Sequence, residues 1–179
     1  ALPDLHVTWL CVTLLSVLYF TYCNEMWNQL DALTGLLNQN SYLNRTAEMS
    51  RSGGLLIVFD VDNFKQVNDC YGHLQGDACL AAIAACLKKA YACCGYCYRI
   101  GGDEFCVLLK NTAREAACAE EFLRQLEKKR KELTFLPTVS CGSAPLSGED
   151  VVAVKDQADR AMYHHKRARK ERAAAIVPE

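Results

Sequence analysis

The chain has 179 residues, of which 51% are hydrophobic, and this suits one domain of ordinary size with a short extension. Its formal net charge of −1 at pH 7 gives no overall attraction to a polyanion and disfavours a DNA- or RNA-binding module. The sequence begins at Ala1 without a methionine, so we expect a piece of a longer or processed protein.

The eleven cysteines invite a disulfide framework or a zinc site, but their number is odd. Most lie within apolar helical or strand patterns: Cys79, Cys86, Cys106, Cys118 and Cys141. Cysteines in such patterns behave as small buried hydrophobic residues in a reducing compartment. The Cys94-Gly-Tyr-Cys97 pair has no second ligand pair at metal spacing, so we expect neither zinc nor redox function from it.

The segment from Leu5 to Asn24 contains no Asp, Glu, Lys or Arg. A helix of this length, rising about 1.5 Å per residue, would just cross a hydrocarbon core of roughly 30 Å. Trp9 near one end and Tyr19 and Tyr22 near the other suit the interfacial belts. The segment has neither the basic region nor the small-residue cleavage site of a signal peptide, so we do not expect one. We favour the end of a transmembrane helix that runs into a cytosolic domain; an amphipathic helix packed on the domain or on a partner helix is the alternative.

The first predicted elements of the domain lead to an acidic cluster. After a helical continuation through Leu30, the polar turn Asp31–Asn38 precedes a helix over about 39–51. The apolar run Leu55–Asp60 has the length and composition of a buried central strand. It ends in Asp60-Val61-Asp62, and acidic residues where a buried strand meets the surface are typical of a site for a metal-bound nucleotide.

A second acidic pair lies on a predicted hairpin. Asp77 is expected to open an alanine-rich helix over about 78–92, and two β-prone runs then flank Gly101-Gly102. A Gly-Gly pair supplies the positive φ of a tight two-residue turn, and Asp103 and Glu104 follow it directly. Holding two carboxylates close together on a turn costs electrostatic free energy unless a cation binds there, and this favours a Mg²⁺ site. For this stretch alone, a solvated surface turn is the simpler interpretation.

The remaining elements complete a mixed α/β order. Thr112 can cap a helix through about Lys131, Pro137–Gly142 is expected to be a strand, Gly148 precedes the last helix, and Ala173–Val177 can form a closing strand. The order of helix, strand, helix, hairpin, helix, strand and helix by itself predicts only a mixed α/β domain.

Four blocks of the chain resemble the GGDEF domain family, the diguanylate cyclases. Residues 101–105 spell its Gly-Gly-Asp-Glu-Phe signature, and 31–38 resemble its entry motif Asp-x-Leu-Thr-Gly-Leu-x-Asn-Arg, with Gln39 in place of Arg. Residues 60–77 keep nearly every fixed letter of Asp-x-Asp-x-Phe-Lys-x-Ile-Asn-Asp-x-x-Gly-His-x-x-Gly-Asp. Residues 158–163 resemble the family's Ala-Asp-x-Ala-Leu-Tyr.

The resemblance covers most of the chain, from residue 31 to about residue 170. It implies an α/β (α+β) fold similar to nucleotidyl cyclases and polymerase palm domains, with a mostly antiparallel central sheet flanked by helices. We therefore expect a hydrophobic N-terminal helix over 1–30 and a GGDEF domain over 31–179. The implied location is the cytoplasmic side of a bacterial inner membrane, with attachment through the N-terminal segment.

Members of the family condense two GTP molecules, each held by one protomer of a homodimer, into cyclic di-GMP and two pyrophosphates. The resemblance assigns metal binding to Asp60, Asp103, Glu104 and the Val61 carbonyl, with two Mg²⁺ or Mn²⁺ ions per active half-site. It also makes Asp103 and Glu104 the catalytic residues, and it leaves open which of them activates the attacking hydroxyl. A pair of divalent ions suits phosphoryl transfer, which needs charge neutralisation and alignment.

The resemblance also implies how GTP is bound. Asn68 and Asp77 match the guanine-binding positions, where an Asp carboxylate accepts the two adjacent guanine donors that adenine lacks. Asp77 also argues against membership of the family variants that make hybrid cyclic dinucleotides, because those usually carry another residue at this position. The phosphate tail is assigned to residues after the first strand and at the end of the last helix, namely Asn63, Phe64, Lys65, Lys166 and Lys170. The family's Lys-x-x-Gly-Arg becomes Lys-Arg-Ala-Arg-Lys over 166–170, and Lys lacks the bidentate fork of Arg.

Departures from the family pattern leave alternatives open. Ala92-Cys-Cys-Gly95 stands where many relatives carry a product-binding Arg-x-x-Asp, so we expect no feedback inhibition through that site. Gln39 and the altered run 166–170 give weight to an alternative function, a catalytically weak domain that serves as a GTP-binding regulatory module. A purely structural, membrane-tethered domain is a third class, and the intact metal and base positions count against it.

Overall fold

The computed structural model describes residues 3–27, 29–148 and 150–175 of the chain. Its strands form one four-stranded sheet in the order β2-β3-β1-β4, and all three pairings are antiparallel. The predicted mixed α/β fold with a mostly antiparallel sheet is therefore confirmed. The elements are, in chain order, α1 (Pro3–Trp27), α2 (Gln39–Ser52), β1 (Gly54–Val61), α3 (Phe64–Tyr71), α4 (His73–Tyr91), β2 (Gly95–Arg99), β3 (Glu104–Leu109), one turn of 3-10 helix (Thr112–Arg114), α5 (Glu115–Glu132), β4 (Val139–Leu146) and α6 (Val151–Ala175).

The central strand β1 is apolar from Leu55 to Phe59 because helices cover both faces of the sheet. Ile57 and Phe59 point into a cluster built with α4 and α5, whereas Leu56 and Val58 point into a second cluster built with α2 and α6. Alternate side chains of a strand project to opposite faces, so burial on both sides requires an unbroken hydrophobic run. The run predicted as a buried central strand is confirmed.

Helix α6 lies directly against β4 at Gly142. A Cβ atom at this position would stand 2.2 Å from the Met162 nitrogen and 2.3 Å from the Ala158 carbonyl oxygen. Ala158 is itself fully buried at the contact. The small residues on both elements thus allow the close approach that carries the end of α6 towards the end of β1.

Two details of the predicted elements are wrong in the first half of the domain. Helix α4 begins at His73, with Gly72 at φ 83° as its N-cap, so Asp77 lies inside the helix and does not open it. Neither Gly101 nor Gly102 has a positive φ. The Ile100 N–H donates to the Glu104 carbonyl at 3.0 Å, which leaves three residues in the turn.

At Gly101 the limited space around the backbone, and not a positive φ, favours glycine. A Cβ atom on Gly101 would lie 3.1 Å from Oε2 of Glu104, since that side chain folds back over the turn. Nothing lies within 4 Å of the corresponding position on Gly102.

Other boundaries differ from the predictions near the ends of elements. The 3-10 turn before α5 is capped by Asn111, whose Oδ1 accepts from the Ala113 N–H at 3.1 Å, and not by Thr112. Helix α1 ends at Trp27, and Leu30 forms an isolated bridge with Leu37. Residues 173–175 are helical, so the closing strand predicted there is wrong; the rest of that segment, 176–177, lies outside the described residues.

The described side chains of helix α1, from His6 to Asn24, are not packed against the domain. The side chains described from His6 to Asn24 are exposed except for the half-buried Cys23. By length and composition, His6–Asn24 could cross a membrane, with a mean hydropathy of 1.4. The hydroxyls of Thr13 and Ser16 each donate to the carbonyl four residues earlier at 2.8 Å, so these polar groups are satisfied within the helix.

Candidate active site

Two acidic residues face each other where β1 ends. Asp60 and Glu104 are direct partners in the register of β1 and β3, so their side chains project from the same face of the sheet. One residue further, the Val61 N–H donates to the Asp103 carbonyl at 3.2 Å, which fastens the turn formed by residues 101–103 (the signature turn) to the end of β1. Asp103 is half-buried and Glu104 is exposed. Like charges directly opposite each other destabilise a sheet unless a cation lies between or beside them.

Lys166 of α6 supplies a cation at this position. Its Nζ forms an ion pair with Oδ2 of Asp60 and lies 3.6 Å from Oδ1 of Asp62. Partial burial works against the charged amine, but the hydrogen bond to Asp60 and the charges of both carboxylates outweigh it and raise the pKa of Lys166. The predicted phosphate-binding lysine therefore rests on the acidic cluster at the end of β1 in this structure.

Asp62 was not predicted as a site residue, yet it anchors the cluster. Its carboxylate is almost completely buried and accepts hydrogen bonds from Thr138 Oγ1 at 2.6 Å and Ser140 Oγ at 2.8 Å. Its N–H also donates to the Thr138 carbonyl at 2.8 Å. These bonds tie the residue after β1 to the start of β4. The Asp-x-Asp spacing was the signal for this residue in the sequence; its partners lie more than seventy positions away.

The two predicted guanine-binding residues lie on adjoining helices. Asn68 is in α3 and half-buried, Asp77 is in α4 and exposed, and Gly72 separates the two helices. Gly76 is buried, and a Cβ atom on it would lie 1.9 Å from Oδ1 of Asn68. The carboxamide of Asn68 therefore rests on Gly76, the residue before Asp77 in α4.

The predicted phosphate-binding segment forms the start of α3. Asn63 has a left-handed φ of 55° and makes no side-chain cap, and Phe64 and Lys65 occupy the first turn. The first amides of a helix have no partner four residues earlier and can therefore face an anion. A cavity of about 300 Å³ opens beside Asp62 and Asn63. The side chain of Lys170 lies outside the described residues, so its predicted role has no geometry here.

Arg99 is a second residue that the sequence analysis missed. Its Nη1 pairs with Oδ1 of Asp31 at 3.1 Å, while Nε donates to the Gly101 carbonyl at 3.2 Å and Nη2 to the Gly102 carbonyl at 2.7 Å. Asp31 also accepts from the N–H and hydroxyl of Thr34 at 2.9 and 2.6 Å. Partial burial opposes ionisation of Asp31, but these hydrogen bonds and the Arg99 charge lower its pKa. The polar turn over residues 31–38 is thereby joined to the signature turn.

The donor set at this end of the sheet suits a hard cation only in part. Within the described ranges, no three side chains of His, Cys, Asp or Glu are grouped closely enough to hold a metal ion by themselves. The opposed carboxylates of Asp60 and Glu104 are nevertheless oxygen donors of the kind that Mg²⁺ and Mn²⁺ prefer, and their position beside an ammonium group shows that the site accommodates positive charge.

The cysteines predicted to be buried are part of the core. Cys79, Cys86, Cys106 and Cys118 are at most 4% exposed, and Cys141 is half-buried. Burial raises the pKa of the Cys79, Cys86 and Cys106 thiols, so these side chains act as small hydrophobic residues.

Comparison with known proteins agrees with this arrangement. The family model described as "Diguanylate cyclase, GGDEF domain" matches residues 28–172. The coiled coil and GGDEF domain of DgcB from Caulobacter crescentus, solved in complex with c-di-GMP, has a TM-score of 0.75 and 25% identity, with 90% of this chain and 94% of that chain covered.

Curated relatives show the same family in longer proteins. Diguanylate cyclase DgcP of Pseudomonas aeruginosa is 38% identical over 160 residues, which cover 79% of this chain and 23% of that protein. Cyclic di-GMP phosphodiesterase PdeR of Escherichia coli is 34% identical over 165 residues, which cover 83% of this chain and 24% of that protein. The chain thus spans about a quarter of the length of these relatives. It belongs to the GGDEF domain family of diguanylate cyclases.

Proposed function

We propose that this chain is a diguanylate cyclase domain that condenses two GTP molecules into cyclic di-GMP with release of two pyrophosphates. The observation that carries the proposal is the pair of opposed carboxylates, Asp60 and Glu104, at the sheet end where Lys166 supplies positive charge. In each of two steps, a ribose 3′-oxygen attacks an α-phosphorus atom and pyrophosphate leaves. Such a transfer needs charge neutralisation and alignment, and an acidic site that concentrates cations meets the first need.

We assign divalent-cation binding to Asp60, Asp103, Glu104 and the Val61 carbonyl, with two Mg²⁺ or Mn²⁺ ions per half-site. The hydrogen bond between Val61 and Asp103 supports this set because it keeps the signature turn at the end of β1. When bound, such ions neutralise the triphosphate and polarise the α-phosphate. Asp103 and Glu104 are the candidate catalytic residues, because one of them has to accept or orient the hydroxyl proton.

We assign guanine to Asn68 and Asp77 and the phosphate tail to Asn63, Phe64 and Lys65, with Lys166 and Lys170 as further cations. The contact between Asn68 and Gly76 supports the guanine assignment, because it holds the carboxamide beside the turn of α4 that carries Asp77. An Asp carboxylate left facing adenine would lose its two donors, so selectivity for GTP over ATP follows.

Catalysis requires two copies, because each protomer holds one GTP. We propose a homodimer in which each protomer contributes the domain 31–179 and the helical segment 1–30. The exposed apolar surface of α1 supports attachment to a membrane through that segment, with the domain on the cytoplasmic side of a bacterial inner membrane. Ala92-Cys-Cys-Gly95 offers neither Arg nor Asp at the position of the product-binding motif, so we propose activity without feedback inhibition there.

The second candidate is a catalytically weak domain that binds GTP and regulates a neighbouring domain. The relative PdeR, named as a phosphodiesterase, supports this alternative, as do Gln39 and the altered run 166–170.

The deciding experiment incubates the full chain with GTP and Mg²⁺ at several protein concentrations and measures cyclic di-GMP by chromatography. We expect product, a specific rate that rises with protein concentration, and loss of the product in Asp103→Ala. Tight GTP binding without product, even after the chain is artificially dimerised, would establish the regulatory alternative. Failure to bind GTP at all would overturn both proposals.

A further inference from the structure

Two thiols from separate elements meet at the base of the signature hairpin, which comprises β2, the signature turn and β3 (residues 95–109). Cys94 lies in the turn between α4 and β2, and Cys118 lies in the first part of α5. Their Sγ atoms are 3.0 Å apart, although 24 positions separate them in the chain. Both are reduced in this structure.

We propose that Cys94 and Cys118 form a site of reversible oxidation, in which a low-molecular-weight disulfide such as oxidised glutathione converts the two thiols into one disulfide bond. A disulfide requires a sulfur–sulfur distance of about 2.05 Å, so the two atoms have to approach by about 1 Å. A small rotation of the half-buried Cys94 side chain can supply this movement. The pair is distinct from Cys94-Gly-Tyr-Cys97, because Cys97 is buried and directs its thiol to the Leu87 carbonyl.

The reaction exchanges two protein thiols for two small thiols. The Cys94 thiolate attacks one sulfur of the oxidant, whose S–S bond breaks and releases the first small thiolate. The Cys118 thiolate then attacks the Cys94 sulfur of the mixed disulfide and releases the second. The two protein thiols lose two protons to the solvent and two electrons to the oxidant, which leaves as two thiols once the released thiolates are protonated.

The surroundings of Cys94 slow its reaction with an oxidant. Burial, together with the neighbouring Cys118 and Cys93 thiols, raises the pKa of Cys94 to about 12. Because only a thiolate attacks, the oxidation is slow at neutral pH and accelerates as the pH rises.

The crosslink would enclose the hairpin that carries Asp103 and Glu104. It would join the residue before β2 to α5, so the closed loop would contain both hairpin strands and the signature turn. Closing a loop of this size restricts the unfolded chain, and we expect the melting temperature to rise by roughly 5–10 °C.

The test treats the full chain, in mild detergent, with oxidised glutathione, blocks remaining thiols with iodoacetamide and digests with trypsin without reductant. The expected product joins peptide 90–99 to peptide 115–124 and loses two hydrogens relative to their sum. Dithiothreitol should separate them. Fragmentation of the joined peptide has to locate the bond at Cys94, because peptide 90–99 also contains Cys93 and Cys97.

Matched variants make the assignment decisive. Cys93→Ser and Cys97→Ser should retain the joined peptide and the rise in melting temperature, whereas Cys94→Ser should lose both. The exposed Cys93 has its Sγ 3.8 Å from that of Cys94, so it is the nearest competitor. A bond from Cys93 to Cys118 in the wild type, or only separate glutathione adducts on the two peptides, would overturn the proposal.

Discussion

The guanidinium of Arg99 and the carboxylate of Asp31 form a partly buried ion pair, with 3.1 Å between Nη1 and Oδ1. The same guanidinium donates two further hydrogen bonds, from Nε to the Gly101 carbonyl at 3.2 Å and from Nη2 to the Gly102 carbonyl at 2.7 Å. The turn that precedes α2 and the turn that carries Asp103 are thereby fixed to each other.

Replacing this arginine should lower both activity and stability. Arg99→Lys keeps the charge but loses the planar fork that contacts three partners, so we expect at least a tenfold fall in cyclic di-GMP formation. The loss of stability should be about 1–2 kcal/mol, measured by denaturant unfolding. Arg124→Lys is the matched control, because Arg124 pairs with Glu121 on the exposed surface of α5 and should matter little. Equal effects of the two substitutions would contradict the role of Arg99.

The ion pair of Asp31 should also appear in the pH dependence of stability. The folded-state pKa of Asp31 is lowered, so its stabilisation is present above the unfolded value of about 3.9 and is lost as the pH falls through the folded-state pKa. We expect wild type to melt above Asp31→Asn at pH 6 and the difference to shrink towards about pH 3. A difference that stays constant over this range would show that the Asp31 charge contributes nothing.

Removing the lysine at the acidic cluster should increase the response to divalent cations. In Lys166→Met, Asp60 faces Glu104 without the ammonium group, so the melting temperature in EDTA should fall by roughly 2–5 °C. Mg²⁺ should then raise it more than in wild type, since a cation that binds the folded state stabilises it. Lys129→Met is the control, because Lys129 pairs with Glu132 at 2.6 Å on α5, away from the acidic cluster. An equal Mg²⁺ response in wild type and Lys166→Met would refute this account.

A methyl group between α6 and β4 should be strongly destabilising. The Cβ of Gly142→Ala would lie 2.2 Å from a backbone nitrogen and 2.3 Å from a backbone oxygen, so the helix has to move. We expect a loss of about 3 kcal/mol or more in the free energy of unfolding. Gly102→Ala meets no atom within 4 Å and has no positive φ, so its unfolding curve should remain close to wild type. Similar stability of the two variants would disprove the close contact.

A methyl group at Gly76 should separate GTP binding from stability. It would displace the Asn68 carboxamide, whose Oδ1 lies 1.9 Å from the added Cβ position. We expect roughly a tenfold weaker affinity for GTP, because a base-binding hydrogen bond is worth about 1–1.5 kcal/mol. The melting temperature should change little, since alanine favours a helix over glycine and offsets part of the crowding. Calorimetric titration should give Asn68→Ala the same loss, and the double variant should add almost nothing further.

Local sequence patterns determined the central strand, the acidic residues at its end and the hairpin that follows. The run Leu55–Asp60 was recognisable because burial on both faces demands unbroken hydrophobicity. Asp103 and Glu104 were found because the turn motif is contiguous. Sequence patterns gave a wrong prediction where the role of a residue depends on the atoms packed around it. In the signature turn, Gly101 leaves room for the Glu104 side chain and does not supply a positive φ.

Only the tertiary structure decided which distant residues support that site. Asp31 and Arg99 are 68 positions apart, Asp62 and Ser140 are 78 apart, and Asp60 and Lys166 are 106 apart. Hydrophobic periodicity identifies the face of an element that is buried, but not the side chain that meets it from another element. Those partners depend on how the sheet pairs and how closely α6 approaches β4, which are properties of the packed molecule as a whole.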